Sequence, residues 1–239
     1  MTNYNICAYS CRGANRKRNE DACGVNEMLL YGKNYGIIEQ AISDTDLPTL
    51  ITLADGMGGH RDGNIASRTA LAHISQAFIT ARDEFTIEKT IVDTHIKLQA
   101  MDSGYLGTYS MGTTIVGALL KPDQCTFFNV GDSRIYLVRK DKIIQISVDD
   151  VSQNNFNPGM TQCLGGGITL TPKPHIKSCD ILPGDVLVLA SDGITDVVPD
   201  EIIMEIVSNR TPDDALHLCQ EAVRRGGGDD TSLVKAEVC

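Results

Sequence analysis

The sequence predicts an α+β fold in which two β-sheets pack together and helices cover their outer faces. Two patterns support this prediction: β-like segments come in two batches, and a pair of amphipathic helices follows each batch. The 239 residues, 42% of them hydrophobic, can bury a sizeable core and suit a large sandwich.

The first batch ends at Thr49–Ala54, a short apolar run that stops at Asp55-Gly56 and predicts a strand ending in a sharp turn. Two β-like segments and a polar stretch precede it. Two segments with apolar residues at every third or fourth position follow it. These patterns predict strands near 4–10 and 22–30, a polar connection over 31–48, and helices over about 62–81 and 86–102.

The second batch begins with four β-like runs. Gly131-Asp132-Ser133 and Lys140-Asp141 have the composition of hairpin turns, and Pro199 and Pro212 suit the first turns of two helices. The predicted elements are strands over 112–121, 124–131, 133–139 and 142–147, a loop over 153–167, a strand over 186–190, helices near 199–208 and 212–225, and a strand over 231–238.

Charge and cysteine content exclude several classes of protein. The 31 acidic and 21 basic residues give a formal charge of −10, which argues against a nucleic-acid-binding surface. None of the eight cysteines forms a CxxC pair, so we expect free thiols and no zinc site. The chain has no signal-peptide-like apolar run and no stretch of membrane-spanning length, so we expect a cytoplasmic protein.

Five acidic segments with Gly or Asn neighbours are spread along the whole chain. They are Asn19-Glu20-Asp21, Ala54-Asp55-Gly56-Met57-Gly58-Gly59, Gly131-Asp132-Ser133-Arg134, Ser191-Asp192-Gly193 and Gly226-Gly227-Gly228-Asp229-Asp230. In each segment we expect a strand to end, an Asp to follow, and a glycine to let the backbone approach an ion closely. Carboxylates brought together without a cation would repel and raise one another's pKa. Hard divalent cations prefer such oxygen ligands, so the pattern predicts a metal-dependent hydrolase.

The order and spacing of these segments carry a resemblance that runs from Ser10 to Val238. The motifs are Ser10-x-x-Gly13-x-x-Arg16-x-x-Asn19-Glu20-Asp21, Ala54-Asp55-Gly56-Met57-Gly58-Gly59-His60, Gly112-Thr113-Thr114, Val130-Gly131-Asp132-Ser133-Arg134-Ile135-Tyr136, Ser191-Asp192-Gly193 and Gly227-Gly228-Asp229-Asp230-x-Ser232. Together they resemble the metal-dependent protein phosphatases, the 2C-type serine/threonine phosphatases, in their compact bacterial form.

The resemblance implies a four-layer α-β-β-α sandwich of two antiparallel sheets flanked by helices, with residues 1–239 as one catalytic domain. It implies hydrolysis of phosphoserine and phosphothreonine by a hydroxide that bridges two Mn²⁺ or Mg²⁺ ions, with room for a third, weaker ion. The expected partners are a phosphorylated protein substrate and a bacterial serine/threonine kinase that the enzyme opposes. No long apolar surface stripe stands out in the sequence, so we expect a monomer.

The resemblance also implies a set of metal ligands. Asp21 and Asp55 match the positions that hold the two-metal centre, with Asp55 bridging the ions. The carbonyl of Gly56 matches a direct ligand, and Glu20 matches an acid that acts through a metal-bound water.

The remaining matched positions complete the centre. Asp192 and Asp229 match the other ligands of one metal, and Asp132 matches a ligand of the third metal that Asp192 shares. Arg16 matches the arginine that grips the substrate phosphate. The catalytic set expected from the resemblance is Asp21, Asp55, Asp192 and Asp229.

The chemistry is consistent with these residue types. Phosphate monoesters are dianions, and two metals about 3.5–4 Å apart can lower the pKa of a shared water toward neutrality. The planar fork of Arg16 suits bidentate contact with phosphate. A cysteine mechanism would need a phosphate-cradling Cys-x5-Arg loop. Cys11 meets Lys17 at that spacing, and Cys219 and Arg225 have no glycine-rich cradle between them.

Two residues and one segment depart from the family pattern. Met57 stands where some members carry a histidine general acid, which leaves His60 or a metal-bound water to protonate the leaving oxygen. Asp230 replaces the usual asparagine, either as a charge that tunes metal affinity or as a surface turn residue. Residues 149–160 are shorter than the family's flap, and we expect this short flap to be mobile and the site open, with altered substrate choice.

Two other readings of the function stay open at this point. One is a partner-switching phosphatase that acts on a single dedicated phosphoprotein. The other is a non-catalytic binding module, which the intact acidic motifs disfavour.

Overall fold

A computed structural model describes residues 3–42, 47–57, 62–81, 84–101, 110–122, 124–153, 159–167, 170–211 and 213–239. Fourteen strands and five helices lie in these ranges. In chain order they are β1 Tyr4–Cys11, β2 Asp21–Val25, β3 Met28–Tyr31, β4 Tyr35–Ile42, β5 Thr49–Asp55, α1 Gly63–Ala81, α2 Ile87–Met101, β6 Gly112–Thr113, β7 Ile115–Leu120, β8 Gln124–Val130, β9 Arg134–Arg139, β10 Lys142–Gln145, β11 Leu164–Gly165, β12 His175–Asp180, β13 Val186–Ala190, α3 Asp192–Thr195, α4 Asp200–Ser208, α5 Asp214–Arg224 and β14 Thr231–Val238.

Most strands form two six-stranded sheets. The first sheet has the order β10-β9-β13-β14-β1-β4, and the second has the order β12-β8-β7-β5-β2-β3. Neighbouring strands are antiparallel in both sheets. β6 and β11 form a separate two-stranded pair.

Three apolar clusters join the layers. The central one lies between the sheets and contains inward residues of both, such as Ile6 and Leu189 from the first sheet and Leu53 and Val116 from the second. A second cluster joins α1 and α2 to the second sheet, and a third joins α3, α4 and α5 to the first sheet. The predicted α-β-β-α sandwich is therefore confirmed.

The helices follow their predicted periodicity. α1 buries Ala66, Ala70, Ile74 and Phe78, which recur every four residues and form one face of the helix. On the other side of the molecule, α5 is fastened to β14 by a buried ion pair, in which Lys235 Nζ lies 2.8 Å from Asp214 Oδ2.

The strand prediction for residues 4–48 was incomplete. The segment 22–30 is a hairpin of β2 and β3 rather than one strand, with a turn that includes Asn26 in the left-handed region at φ 52°. The supposed polar connection contains β4, which forms the edge of the first sheet beside β1. The strand itself, Tyr-Gly-Ile-Ile-Glu-Gln-Ala-Ile, is mostly apolar, and its exposed side chains alternate with half-buried ones, as expected at the edge of a sheet.

One predicted turn was confirmed and another was wrong. Lys140-Asp141 forms a two-residue hairpin turn with both residues at positive φ. Gly131-Asp132-Ser133 does not form a hairpin, because β8 belongs to the second sheet and β9 to the first. The sequence pattern also missed β12, an edge strand with mostly exposed side chains.

The structure also describes the state of the cysteines and the lengths of the helices. All eight cysteines lie in the described ranges, none of them is in a disulfide, and Cys239 is exposed. In the described ranges, no helix combines the length and apolarity needed to cross a bilayer.

Candidate metal centre

The antiparallel pairing of β2 and β5 brings the first two predicted aspartates together. Asp21 begins β2, Asp55 ends β5, and the two residues are direct Cα partners. The expectation that each acidic residue follows a strand is therefore wrong for Asp21. It meets Asp55 because the start of one antiparallel strand adjoins the end of its neighbour.

The first sheet contributes acidic residues in the same manner. Asp192 follows β13, Asp229 shortly precedes β14, and these two strands are antiparallel neighbours. The carboxyl groups of Asp55 and Asp192 lie close enough for each to shift the pKa of the other, so the two sheets approach each other at these strand ends.

Burial and mutual repulsion dominate the electrostatics of this cluster. Burial, followed by the charge of Asp230, raises the pKa of Asp21 to about 8. Burial, and then the charges of Asp21 and Asp192, hold the pKa of Asp55 well above its ordinary value. Burial also raises the pKa of Asp192. The site thus concentrates negative charge that the protein itself does not neutralise.

The side chain of Asp21 provides a test of whether the residues fit a metal. The residue is 1% exposed, and neither carboxylate oxygen has a hydrogen-bond partner of normal geometry in the described part of the chain. The nearby hydroxyl groups of Ser191 and Ser232 lower its pKa but do not offset the effect of burial. A buried carboxylate of this kind is costly unless it is paired or coordinates a metal. The residues therefore fit a hard divalent cation. Within the described residues, no three Asp, Glu, His or Cys side chains converge into a ready metal-binding group, so the individual ligands stay predictions.

Asp132 joins the cluster from the segment that crosses between the sheets. Burial, and then the charge of Asp192, raise its pKa to about 6. Asp132 is therefore near enough to feel the charge of Asp192. The segment that carries Asp132 runs from the second sheet to the first, which is why it forms no hairpin.

Hydroxyl groups hold the backbone of Asp55 in place. Its N–H donates to Thr114 Oγ1 at 3.0 Å, and its carbonyl accepts from Thr113 Oγ1 at 2.8 Å. Thr114 Oγ1 also lies 2.8 Å from Ser133 Oγ. The Gly112-Thr113-Thr114 motif therefore positions Asp55, a role that the sequence did not reveal.

Arg16 lies at the site, but it contacts a carboxylate. Its Nε and Nη2 donate to Asp229 Oδ1 and Oδ2 at 2.6 and 2.5 Å. This bidentate hydrogen bonding to Asp229 raises the pKa of Arg16. Glu20 Oε2 lies 4.0 Å from Arg16 Nη1. The arginine is therefore oriented by a residue that was predicted to bind metal.

Asp230 is a buried anchor and not a surface turn residue. It is 3% exposed. Its Oδ1 accepts from the N–H of Gly13 and its Oδ2 from the N–H of Glu20, both at 2.8 Å. One side chain therefore connects the segment before β14 to the segment that carries Arg16 and Glu20. Its charge also reaches the site, since it raises the pKa of Asp21.

The glycines beside the acidic residues allow close backbone packing. A Cβ on Gly56 would lie 2.4 Å from the carbonyl oxygen of Gly63 and 2.6 Å from that of Glu20. A Cβ on Gly193 would lie 1.9 Å from the carbonyl oxygen of Asp230. We expected these glycines to let the backbone approach an ion, whereas here they let separate segments of the site approach each other.

An open cavity adjoins the carboxylate cluster. It has a volume of about 480 Å³, and its lining includes Asn15, Arg16, Asp192, Asp196 and Asp229. The sequence did not single out Asn15 or Asp196. The predicted acid His60 and the flap tip, residues 154–158, lie outside the described residues.

Comparisons with known proteins agree with this geometry. Residues 40–224 match the Protein phosphatase 2C family, a span that includes Asp55, Gly56, Asp132 and Asp192. The chain is 29% identical to the serine/threonine phosphatase stp of Listeria innocua over 93% of this chain and 91% of that protein.

Two solved structures extend the comparison. The S. agalactiae serine/threonine phosphatase has a TM-score of 0.80 at 24% identity, over 98% of this chain and 99% of that one. This likeness shows the shared fold. The catalytic domain of the serine/threonine protein phosphatase PstP, in complex with two manganese ions, has a TM-score of 0.73 at 26% identity, over 100% of this chain and 99% of that one.

The family match spans most of the chain, and the sandwich and the gathered aspartates agree with it. This chain belongs to the protein phosphatase 2C family.

Proposed function

We propose that this protein hydrolyses phosphoserine and phosphothreonine esters of proteins at a centre of two divalent cations. The observation that carries the proposal is the buried carboxylate of Asp21, which lacks a hydrogen-bond partner of normal geometry in the described chain and stands opposite Asp55. The general class of the enzyme follows from the family of the chain and from its relatives: the chain is a serine/threonine protein phosphatase of the 2C type.

We assign the cations to the predicted ligands. Asp21, Asp55, Asp192 and Asp229 would hold them, with the carbonyl of Gly56 as a further direct ligand. Glu20 would act through water. Support comes from the buried carboxylate of Asp21, from the charges of Asp21, Asp192 and Asp229 that raise the pKa of Asp55, and from the two manganese ions of the similar PstP domain. When bound, such cations supply a hydroxide at neutral pH and neutralise charge on the phosphate.

The protein's own groups position the substrate. Arg16 presents a planar fork at the cavity of about 480 Å³ beside the carboxylates, where it can hold two phosphate oxygens. Asp229 orients that fork through its two hydrogen bonds. The leaving serine or threonine oxygen needs a proton, and we keep both His60 and water as candidate donors.

A third, weaker cation is a finer part of the proposal. Asp132 and Asp192 would share it, because the charge of Asp192 raises the pKa of the buried Asp132. A carboxyl pair of this kind would hold a cation less tightly than the cluster around Asp21, since it offers fewer anionic ligands.

The cellular setting is also proposed. We infer that residues 1–239 act as one catalytic domain, in the cytoplasm and as a monomer, against phosphoproteins made by a cognate serine/threonine kinase. The near-complete coverage of both the chain and the stp phosphatase supports a single catalytic unit.

Hydrolysis of three peptides tests the substrate class. Protein loaded with Mn²⁺ is given phosphothreonine, phosphoserine and phosphotyrosine peptides of otherwise identical sequence. We expect release of phosphate from the first two, and unchanged rates in Cys11→Ser and Cys219→Ser. Preference for phosphotyrosine, or loss of activity in either cysteine variant, would refute the proposal.

A further inference from the structure

Asp150 lies at the base of the flap and is only 7% exposed. Its Oδ2 accepts a hydrogen bond from the N–H of Gly131 at 2.9 Å. Its Oδ1 accepts from Gln162 Nε2 at 2.9 Å and lies 2.9 Å from His175 Nε2. The carboxylate is therefore held on both sides, by the backbone next to Asp132 and by two side chains beyond the flap.

The backbone of Asp150 completes the same attachment. Its N–H donates to the carbonyl of Gly131 at 3.0 Å, and its carbonyl accepts from the N–H of Thr161 at 2.7 Å. Val151 and Met160 form an isolated β-bridge next to it. Both limbs of the flap base thus converge on Asp150, which grips Gly131 through main chain and side chain together.

Gly131 has a backbone conformation and a close contact with Thr114 that favour glycine at this position. Its φ is +104°, which residues with a side chain rarely adopt, and a Cβ there would lie 2.8 Å from atoms of Thr114. The segment from Gly131 to Ser133 crosses between the sheets without a hairpin of its own. Its position therefore depends on hydrogen bonds from outside the segment.

These contacts form one path to the metal centre. Asp150 holds Gly131, Ser133 pairs with Thr114, and Thr114 accepts from the N–H of Asp55. Asp132 lies between the two held residues, so the position and direction of its Cα–Cβ bond are fixed by its neighbours. Groups that orient metal ligands commonly set metal affinity as strongly as some ligands do.

We propose that Asp150 is a positioning residue that fixes Asp132 and thereby sets the affinity for the more weakly held divalent cation. This inference rests on the proposed function, because it requires Asp132 to face a cation. Asp150 itself touches neither substrate nor metal. Its removal would leave Gly131 without an acceptor for its buried N–H and would let Asp132 turn away from Asp192.

A merely structural role would have a different consequence. Loss of Asp150 would then lower the stability of the protein, but the remaining folded molecules would bind Mn²⁺ as the wild type does. Asp185 provides a matched control. It is 2% exposed, accepts from the N–H of Leu182 at 2.8 Å, and pairs with Arg139. It directly precedes β13, at the opposite end of that strand from Asp192.

The test measures Mn²⁺ affinity in four proteins: wild type, Asp150→Ala, Asp150→Asn and Asp185→Ala. One readout is the Mn²⁺ concentration for half-maximal hydrolysis of a phosphothreonine peptide. The other is direct binding, from the loss of the free Mn²⁺ signal in electron paramagnetic resonance. Thermal unfolding in EDTA reports the stability of each variant.

We expect Asp150→Ala to raise the half-maximal Mn²⁺ concentration roughly 10–100-fold and to lose one weak ion in the binding curve. Turnover at saturating Mn²⁺ should return toward that of the wild type. Asp150→Asn keeps an acceptor for Gly131 and should recover most of the affinity, whereas Asp185→Ala should lose stability alone.

Three results would decide against the inference. An unmoved Mn²⁺ midpoint in a folded Asp150→Ala would overturn it, as would an equal shift in Asp185→Ala.

If Asp150→Ala does not fold, the double variant Gln162→Ala/His175→Ala removes the two side chains that orient Asp150. It should shift the midpoint in the same direction by less, and no shift would again overturn the inference. A wild type without Mn²⁺-dependent turnover would instead refute the proposed function.

Discussion

Asp21 and Asp55 are direct Cα partners in the pairing of β2 with β5, so two carboxylates lie opposite each other where these two strands meet at one end of the sheet. Like charges placed directly opposite destabilise a sheet. The chain nevertheless places Asp192 beside them, and their side chains remain buried or nearly so. Such an arrangement lowers the stability of the metal-free fold, and cation binding would relieve it.

Replacement of Asp21 should separate stability from activity. Above pH 8, where Asp21 is ionised in the metal-free fold, Asp21→Asn removes a buried charge while it keeps the shape of the side chain, so we expect the metal-free variant to melt at a higher temperature than the wild type. Activity should fall by at least about 100-fold, because loss of a metal ligand removes a direct contact.

Thermal unfolding with and without Mn²⁺ checks both parts. In the wild type Mn²⁺ should raise the melting temperature strongly, and in Asp21→Asn it should raise it little. If Asp21→Asn lowered metal-free stability and kept the full response to Mn²⁺, Asp21 would not be a ligand.

The stability of the metal-free protein should depend on pH. The folded state raises the pKa of Asp21 to about 8 and that of Asp132 to about 6, from 3.8. Between pH 3.8 and 8 these two carboxyl groups therefore bind more protons in the folded protein than in the unfolded chain. Their contribution to stability falls as pH rises through the pKa values of the folded state.

Melting curves in EDTA at pH 5 and pH 8 measure this effect. We expect the higher melting temperature at pH 5, and a smaller difference in Asp21→Asn. Saturating Mn²⁺ should stabilise the protein more at pH 8, because protons compete with the cation for the same carboxylates. A melting temperature that rises with pH in EDTA would contradict the assignment.

Arg16 should govern substrate binding more than metal binding. Arg16→Ala is expected to raise KM for a phosphothreonine peptide roughly 10–100-fold, because charge-assisted hydrogen bonds contribute about 1.5–3 kcal/mol. Asp229 would be released from its ion pair, so the Mn²⁺ midpoint should not rise. Arg16→Lys keeps the charge without the fork and should give an intermediate KM. An unchanged KM with a higher Mn²⁺ midpoint would mean that Arg16 supports the metal centre instead.

Asp230 should act mainly through stability. Asp230→Ala leaves the N–H groups of Gly13 and Glu20 without their acceptor, which costs about 1–3 kcal/mol for each buried group left unpaired. Asp230→Asn keeps one acceptor oxygen and should lose less. Urea unfolding in EDTA measures the difference, and equal stability of all three proteins would restore the surface-turn interpretation.

The sequence was most informative where local periodicity and motif order coincide. The helices α1 and α2 were predicted because their buried residues recur with the helical period. The helices α4 and α5 were predicted from the residues of their first turns, and β13 from its continuous apolar run. The edge strands β4 and β12 were missed because neither alternates cleanly between polar and apolar residues. β4 has isoleucines on both faces, with Ile37 exposed and Ile38 half-buried, and β12 has mostly exposed polar side chains.

The acidic residues of the site could be predicted from the sequence, but the contacts that hold them in place could not. Motif order identified Asp21, Asp55 and Asp192, and the fold brings them together. The sequence did not reveal that Asp229 holds Arg16, or that Asp150 holds Gly131. These contacts join residues far apart in the chain, and only the packing of the two sheets defines them.

Phosphate release by metal-stripped protein tests the central claim most directly. A phosphothreonine peptide is offered to wild type and Asp192→Ala, each with and without added Mn²⁺, after circular dichroism has shown that both are folded. We expect release that requires Mn²⁺ in the wild type and is lost in Asp192→Ala. Full activity in EDTA, or no release by folded wild type at any Mn²⁺ concentration, would contradict it, and the second result would favour a binding module without catalysis.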